Sequence, residues 1–191
     1  MRRLLVTGFG AFPGQADNAS ARLARLLERR RRAFALAGVE LHVCVLPVER
    51  FALSPELCRL YAQIAPHAVL HLGVAARRRQ LSVESLARNR ASILRPDAAK
   101  SVSWSRFIVH GGPDALRSPA PAARLAALAR RHGEKAEVSR DAGDYLCNEI
   151  LFLSLLMDRR ASFLHLPAWR GARLRKALPA VEAMAKALAL A

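Results

Sequence analysis

Short apolar segments that alternate with longer amphipathic ones constrain the fold most. The apolar segments have the length and composition of buried strands, and they are Arg3 to Thr7, Val39 to Val45 and Ala68 to Leu72. A helical pattern capped near Asn18 runs to about Leu36, and a second begins at Ser54-Pro55. Strands and helices in alternation predict an α/β domain with a mostly parallel sheet, and 191 residues suit one domain.

The second half of the chain resumes this alternation after a long interruption. The stretch Val74 to Ala99 is polar and poorly periodic, which predicts a functional loop or an irregular hairpin. Pro121 to about Arg131 has the pattern of an amphipathic helix, and Ala172 to Leu190 has that of a last helix.

A cysteine and a histidine lie at the ends of two later strand candidates. A short strand ending at Val138 leads into a helix that begins near Asp144, so Cys147 falls in the first helical turn. The free N–H groups and the helix dipole there lower the pKa of a thiol, and the thiolate is the nucleophilic form. His165 lies near the end of the strand Ser162 to Pro167. The pair predicts a Cys–His enzyme, although each residue alone also fits a packing role.

Composition argues against several classes of protein. No apolar run approaches the roughly 20 residues of a membrane span, and the run before Gly8 is too short for a secretory signal. We therefore expect a cytoplasmic protein without a membrane partner. Cys44, Cys58 and Cys147 show no metal-ligand spacing, so we expect no disulfide framework, no metal and no cofactor.

The formal net charge of +16 makes nucleic acid a candidate partner. Arginine supplies nearly all of this charge, and the arginines are scattered with few aromatic residues among them for base stacking. We predict a solvated, arginine-rich surface that binds polyanions non-specifically and has no specific nucleic-acid partner.

A glycine-rich turn follows the first strand. Gly8 and Gly10 fit a dinucleotide-binding loop, but no third glycine follows at the required place, so a nucleotide-binding protein is a weak alternative. Phe9 and Phe12 lie at the carboxyl end of this strand, where open α/β sheets bind ligands, although both also fit the core.

Three separated stretches carry more specific motifs. They are VTGFGAFPG with NAS after it, HLGVAARRRQLSVESLARN with RPD after it, and VSRDAGDYLCNEILFLSL with FLHLP after it; the shorter LPV lies between the first two. Together they resemble the pyroglutamyl peptidase I family of cysteine peptidases over almost the whole chain. The resemblance implies a single-domain three-layer α/β/α sandwich over residues 1–191, with a mostly parallel mixed sheet of the phosphorylase/hydrolase-like kind.

The resemblance also implies an activity and its residues. The substrate is a peptide with N-terminal pyroglutamate, and the triad is Cys147 as nucleophile, His165 as acid and base, and Glu84 to orient the imidazole. The lactam ring is uncharged, so its pocket is expected to be apolar. The implied substrate-binding residues are Phe9, Phe12, Asn18, Gly73, Val74 and Tyr145. Family members often form dimers or tetramers, so a homo-oligomer is expected.

The chain departs from the family pattern where relatives carry an arginine beside the oxyanion. Leu94 occupies that place, and Arg95 follows it. Adjacent side chains of an extended segment point to opposite sides, so we expect backbone N–H groups at the start of the Cys147 helix to hold the oxyanion alone. The alternative is a weakly active or inactive homologue that binds a small acyl-peptide or an anionic partner; the complete triad favours the enzyme.

Overall fold

A computed structural model describes residues 1–12, 17–157 and 159–191, so Pro13 and Gly14 of the glycine-rich turn lie outside the described residues. The elements in chain order are β1 (Arg2–Phe9), α1 (Ala19–Glu28), α2 (Arg31–Leu36), β2 (Val39–Leu46), α3 (Arg50–Ile64), β3 (Ala68–Val74), β4 (Leu81–Glu84), β5 (Leu86–Arg88), β6 (Ala115–Arg117), α4 (Ala122–Arg131), β7 (Ala136–Ser139), α5 (Leu146–Leu156), β8 (Ala161–Leu166) and α6 (Gly171–Leu190).

Six strands form the central sheet in the order β2-β1-β3-β8-β4-β7, and β5 pairs with β6 in a separate two-stranded sheet. The strands β2, β1, β3 and β8 are mutually parallel. β4 runs antiparallel to β8 and parallel to β7. The mostly parallel mixed sheet predicted from the sequence is therefore confirmed.

Helices cover both faces of this sheet. On one face, α1, α2, α4 and α6 enclose a core that contains Phe34, Leu125 and Met184. On the other face, α3 and α5 enclose a second core that contains Leu57 and Phe152. The three-layer α/β/α arrangement is thus confirmed. Among the described residues, no helix is both long and apolar enough to cross a membrane.

Two helices differ from their predicted bounds. The first predicted helix is two helices, because the chain turns at Arg29 and Arg30 between α1 and α2. α3 begins at Arg50 rather than at Ser54, and Pro55 lies inside it. The Arg50 backbone N–H donates to Asp97 Oδ2 at 2.8 Å, so a distant carboxylate caps the helix and moves its start forward.

The polar stretch Val74 to Ala99 is more regular than predicted. It contributes β4 to the central sheet, where Leu81 and Val83 are fully buried. Two polar residues of this strand are buried too, since Ser82 and Glu84 have no exposed surface. Local polarity therefore misled the sequence analysis, because these side chains find partners on other strands.

Candidate active site

Three neighbouring strands and one helix bring the predicted triad together. On β8, His165 lies beside Gly73 of β3 and opposite Ser82 of β4. Glu84 follows two residues later on the same face of β4, which places it diagonally across from His165. From the start of α5, Cys147 Sγ approaches Gly73 so closely that a Cβ at this glycine would lie 3.0 Å from the sulfur. Glu84, His165 and Cys147 thus lie on the same side of the central strands.

His165 is held by Glu84. Nδ1 of the imidazole lies 2.8 Å from Glu84 Oε1, and both side chains are buried. An ionised carboxylate only accepts hydrogen bonds, so Nδ1 carries the hydrogen and Nε2 keeps a free lone pair. The ring also packs on Phe163, with centroids 4.7 Å apart. This tautomer is the one that can accept a proton from a thiol.

Arg78 is a site residue that the sequence analysis missed. Its Nη1 lies 2.7 Å from Glu84 Oε1, an ion pair that lacks hydrogen-bond geometry. Its Nη2 donates to the backbone oxygen of Asp141 at 2.7 Å, in the segment that leads to Cys147. Arg78 therefore balances the charge of Glu84 and connects this carboxylate to the segment that precedes Cys147. The available signal was its place in the HLGVAARRRQ stretch.

The predicted lowering of the Cys147 pKa is wrong for the thiol alone. Burial raises the pKa of Cys147 to about 12, and the negative charge of Glu84 adds to this rise. Arg78 and the backbone at the helix start oppose the rise without cancelling it. Cys147 as a whole residue is half-buried, whereas its sulfur packs against Gly73. The Cys147 thiol is therefore neutral near pH 7 unless a base accepts its proton.

A small apolar pocket of about 60 Å³ opens beside the nucleophile. Its lining residues are Phe9, Phe12, Val48, Val74, Tyr145, Leu146 and Cys147. The structure thus gathers four of the predicted binding residues around Cys147, and it adds Val48, whose signal was the LPV motif. Larger cavities lie elsewhere in the described chain and do not include Cys147.

Asn18 and Gly73 support the site from behind rather than line this pocket. Asn18 Oδ1 accepts the Ser20 backbone N–H at 3.1 Å and thereby caps α1. Its Nδ2 donates to Gly10 O at 3.0 Å, and Ser20 Oγ accepts the Phe9 N–H at 3.0 Å. Asn18 therefore fixes the segment that carries Phe9. Gly73 leaves the space that Cys147 Sγ occupies.

Neither Leu94 nor Arg95 lines the pocket of the nucleophile. Leu94 is 84% exposed, and Arg95 Nη1 lies 3.8 Å from Asp144 Oδ1 with most of its side chain in solvent. In contrast, the first hydrogen bond of α5 runs from Asn148 N to Tyr145 O at 3.0 Å. The N–H groups of Leu146 and Cys147 precede that bond and are available to an oxyanion.

Asn148 anchors the start of α5 to the neighbouring segment. Its Nδ2 donates to Arg88 O at 2.8 Å and to Arg90 O at 2.9 Å, and its Oδ1 accepts the Arg88 N–H at 2.9 Å. The start of α5 is therefore held by an amide side chain whose two N–H groups and oxygen all have hydrogen-bond partners. Across the described ranges, no group of three or more His, Cys, Asp or Glu side chains could hold a metal ion.

The chain is similar to known proteins over most of its length. A family model described as pyroglutamyl peptidase matches residues 2–186. A pyrrolidone-carboxylate peptidase of Chromobacterium violaceum is 33% identical over 168 residues, which cover 87% of this chain and 78% of that protein. The structure of pyrrolidone carboxyl peptidase from Thermus thermophilus has a TM-score of 0.83 at 36% identity, covering 98% of each chain. That from Thermococcus litoralis has a TM-score of 0.86 at 26% identity, covering 100% of this chain and 94% of that one.

Proposed function

The chain belongs to the pyroglutamyl peptidase family, and from this premise we propose that it removes N-terminal pyroglutamate (5-oxoproline) from peptides with Cys147, His165 and Glu84 as the catalytic triad. The observation that carries the proposal is the buried hydrogen bond of 2.8 Å between His165 Nδ1 and Glu84 Oε1, next to the thiol and its apolar pocket. A histidine fixed in this way has Nε2 ready to act as base and acid.

Acylation follows from this arrangement. His165 Nε2 accepts the proton of Cys147 as the sulfur attacks the pyroglutamyl carbonyl carbon, because burial keeps the free thiol neutral. The negative charge that develops on the carbonyl oxygen is held by the N–H groups of Leu146 and Cys147. The C–N bond then breaks, His165 donates its proton to the leaving amine, and a thioester remains on Cys147.

Deacylation uses the same imidazole. His165 Nε2 removes a proton from water, and the oxygen attacks the thioester carbonyl. The C–S bond breaks, the proton returns to the sulfur, and free pyroglutamate leaves. Glu84 stabilises the imidazolium in both halves of the reaction, and Arg78 keeps this buried carboxylate paired.

The pocket supports selection for a neutral lactam. Phe9, Phe12 and Tyr145 offer apolar surface within a volume of about 60 Å³. A peptide with an ordinary charged amino terminus would lose its hydration there without finding a carboxylate among the lining residues. An uncharged five-membered lactam ring loses much less hydration free energy on entering the pocket.

Hydrolysis of a fluorogenic pyroglutamyl amide tests the proposal. We expect turnover by the wild type and by Cys58→Ser, whose exposed thiol lies outside the site. We expect none from Cys147→Ser, because a hydroxyl is a far weaker acid than a thiol. Tight binding of the amide by wild type without any turnover would instead support the inactive, peptide-binding homologue.

We also propose that the protein self-associates through an apolar patch, defined by Phe51, Leu94, Trp104 and Phe107. Trp104 is 90% exposed and packs against Phe51 with ring centroids 5.2 Å apart. Phe107 lines one cavity with Phe51 and another with Leu94, so the four side chains are neighbours. Contiguous exposed apolar surface of this kind marks interfaces.

Three further expectations stay predictions. The cytoplasmic location is tested by cell fractionation, and the single domain over residues 1–191 by whether thermal unfolding is one cooperative transition. The lack of a specific nucleic-acid partner is tested by competition between unrelated DNA sequences, which should bind equally.

A further inference from the structure

A second concave site lies between α1 and α6, on the face of the sheet opposite to α5. It is a groove of about 320 Å³ lined by Arg22, Arg25, Leu26, Arg29, Gly171, Leu174 and Arg175. Arg22 and Arg25 of α1 and Arg29 at its C-cap are spaced by three and four residues, so they share one face of the helix. Arg175 of α6 lines the other side, and Leu26 and Leu174 supply apolar surface between them.

Most of the positive charge in this groove is uncompensated. Arg22 pairs with Asp17 at 2.6 Å. Within residues 1–12, 17–157 and 159–191, no carboxylate lies within 4.0 Å of the guanidinium groups of Arg25, Arg29 or Arg175. Three arginines without a carboxylate partner in the described part of the chain thus line a groove of about 320 Å³.

The acidic residues nearest in sequence are already engaged. Glu28 is the only acidic residue between positions 19 and 36, and it pairs with Arg31 at 2.8 Å. Glu182 is the first acidic residue after the start of α6, and it pairs with Arg30 at 2.9 Å and with Lys186 at 2.6 Å. Rearrangement of these carboxylates into the groove would break existing ion pairs.

We propose that this groove binds a compact ligand with a short chain of phosphate groups, of the size of tripolyphosphate. A guanidinium group binds phosphate oxygens through two parallel N–H donors. Four arginines line this one small groove. The stripe from Arg22 to Arg29 spans about 10 Å of helix, enough for consecutive phosphates. α6 begins at Gly171 without a side-chain cap from Arg170, so its first N–H groups add to the attraction for an anion.

The shape of the groove favours a compact polyphosphate over a nucleic acid. A duplex presents its phosphates on a broad convex surface, whereas these arginines line a narrow concavity. The lining that the structure describes contains no aromatic side chain on which a base could stack. The ligand therefore contacts the groove through its phosphates.

Calorimetric titration of the full chain with sodium tripolyphosphate, at about 50 mM salt, tests the proposal. The groove variant is Arg25→Gln/Arg29→Gln/Arg175→Gln. The control variant, Arg32→Gln/Arg124→Gln/Arg131→Gln, loses the same charge from exposed positions outside the groove. We expect the groove variant to bind at least about tenfold more weakly and the control to change less than about threefold.

A charge-preserving variant guards against a folding defect. Arg25→Lys/Arg29→Lys/Arg175→Lys keeps the charge but loses the paired donors, and we expect binding weaker by about three- to tenfold. Equal weakening in the groove and control variants, absence of heat with tripolyphosphate, or stronger groove-dependent binding of a short DNA duplex would each overturn the proposal. Pyroglutamyl amide hydrolysis should be the same in all these variants, so the result is independent of the proposed catalytic function.

Discussion

In the proposed mechanism, the Cys147 thiol becomes a strong nucleophile only when His165 accepts its proton. The helix start contributes donors to the site, but burial and the nearby Glu84 charge outweigh that contribution and raise the pKa of Cys147 to about 12. In that mechanism, a neutral thiol and imidazole become a thiolate and an imidazolium in one step, and Glu84 stabilises the imidazolium through Nδ1. Nucleophile and base therefore act as one unit.

We predict that His165→Ala slows alkylation of Cys147 by iodoacetamide at least about tenfold near neutral pH, because no base remains to take the proton. Peptide mass spectrometry follows each cysteine separately. Cys58, which is exposed, serves as the internal control and should react at the same rate in both proteins. An unchanged Cys147 rate would mean that the helix start alone ionises the sulfur.

Removal of Arg95 should have little effect. Its side chain is 67% exposed and lies 3.8 Å from Asp144, away from the pocket. Exposed ion pairs of this kind contribute little to the stability of the folded protein. We predict that Arg95→Ala lowers kcat for a pyroglutamyl amide by less than about threefold, because the proposed oxyanion donors are backbone N–H groups. A loss of more than about a hundredfold with unchanged thermal stability would assign Arg95 to the oxyanion site.

At the scale of elements, β3 is the strand that lets the nucleophile approach the sheet. A Cβ on Gly73 would lie 2.5 Å from Phe163 Cζ and 3.0 Å from Cys147 Sγ. We predict that Gly73→Ala destabilises the protein by about 1–3 kcal/mol and lowers kcat. Adding Phe163→Leu should restore part of the stability but not the activity, because the contact with the sulfur remains. Thermal unfolding and amide hydrolysis of both variants measure the two effects separately.

The helices α3 and α5 are joined by a buried ion pair between Arg50 and Glu149. Burial raises the pKa of Glu149 to about 7, and Asp97 adds to the rise while Arg50 opposes it. The folded protein therefore holds the proton of the Glu149 carboxyl group more tightly than the unfolded chain does between about pH 4.5 and 7. Stability from this group is present at low pH and is lost as the pH rises through that window.

Denaturant unfolding of the wild type and Glu149→Gln between pH 5 and 8 tests this coupling. We predict that the wild type loses up to about 3 kcal/mol relative to the glutamine variant as the pH rises, because glutamine does not titrate. Other groups titrate equally in both proteins and cancel in the difference. A constant difference across this range would show that Glu149 stays ionised throughout.

Local patterns in the sequence correctly predicted those features of the helices and strands that depend on residues close together in the chain. The strand-to-helix turn placed Cys147 at a helix start, and the apolar strand placed His165 near its end. The start of α3 depended on Asp97, and the strand β4 depended on pairing with β8. Both are contacts between distant parts of the chain, which periodicity does not encode. The prediction of a lowered Cys147 pKa was wrong for the same reason, because the burial of this thiol depends on packing between distant parts of the chain.

At the scale of the whole molecule, the arginine groove and the apolar patch lie in different places. The arginine groove lies between α1 and α6, whereas the apolar patch of Phe51, Leu94, Trp104 and Phe107 lies beside the start of α3 and the segment before β6. A molecule with a net charge of +16 repels its own copies at low salt. Self-association through the patch therefore has to overcome that repulsion by burying apolar area, and it should strengthen as salt screens the charges.

We predict that Trp104→Lys shifts the protein toward the monomer. Trp104 is 90% exposed, so its replacement removes apolar contact area and places a charge in the patch without disturbing the core. Light scattering coupled to size-exclusion chromatography, at low and moderate salt, measures the mass. Leu36→Lys is the matched control, because Leu36 is 82% exposed and lies on α2, outside the patch. A wild type that is monomeric at both salt concentrations, or a Leu36→Lys variant that dissociates as readily as Trp104→Lys, would remove the patch as the interface.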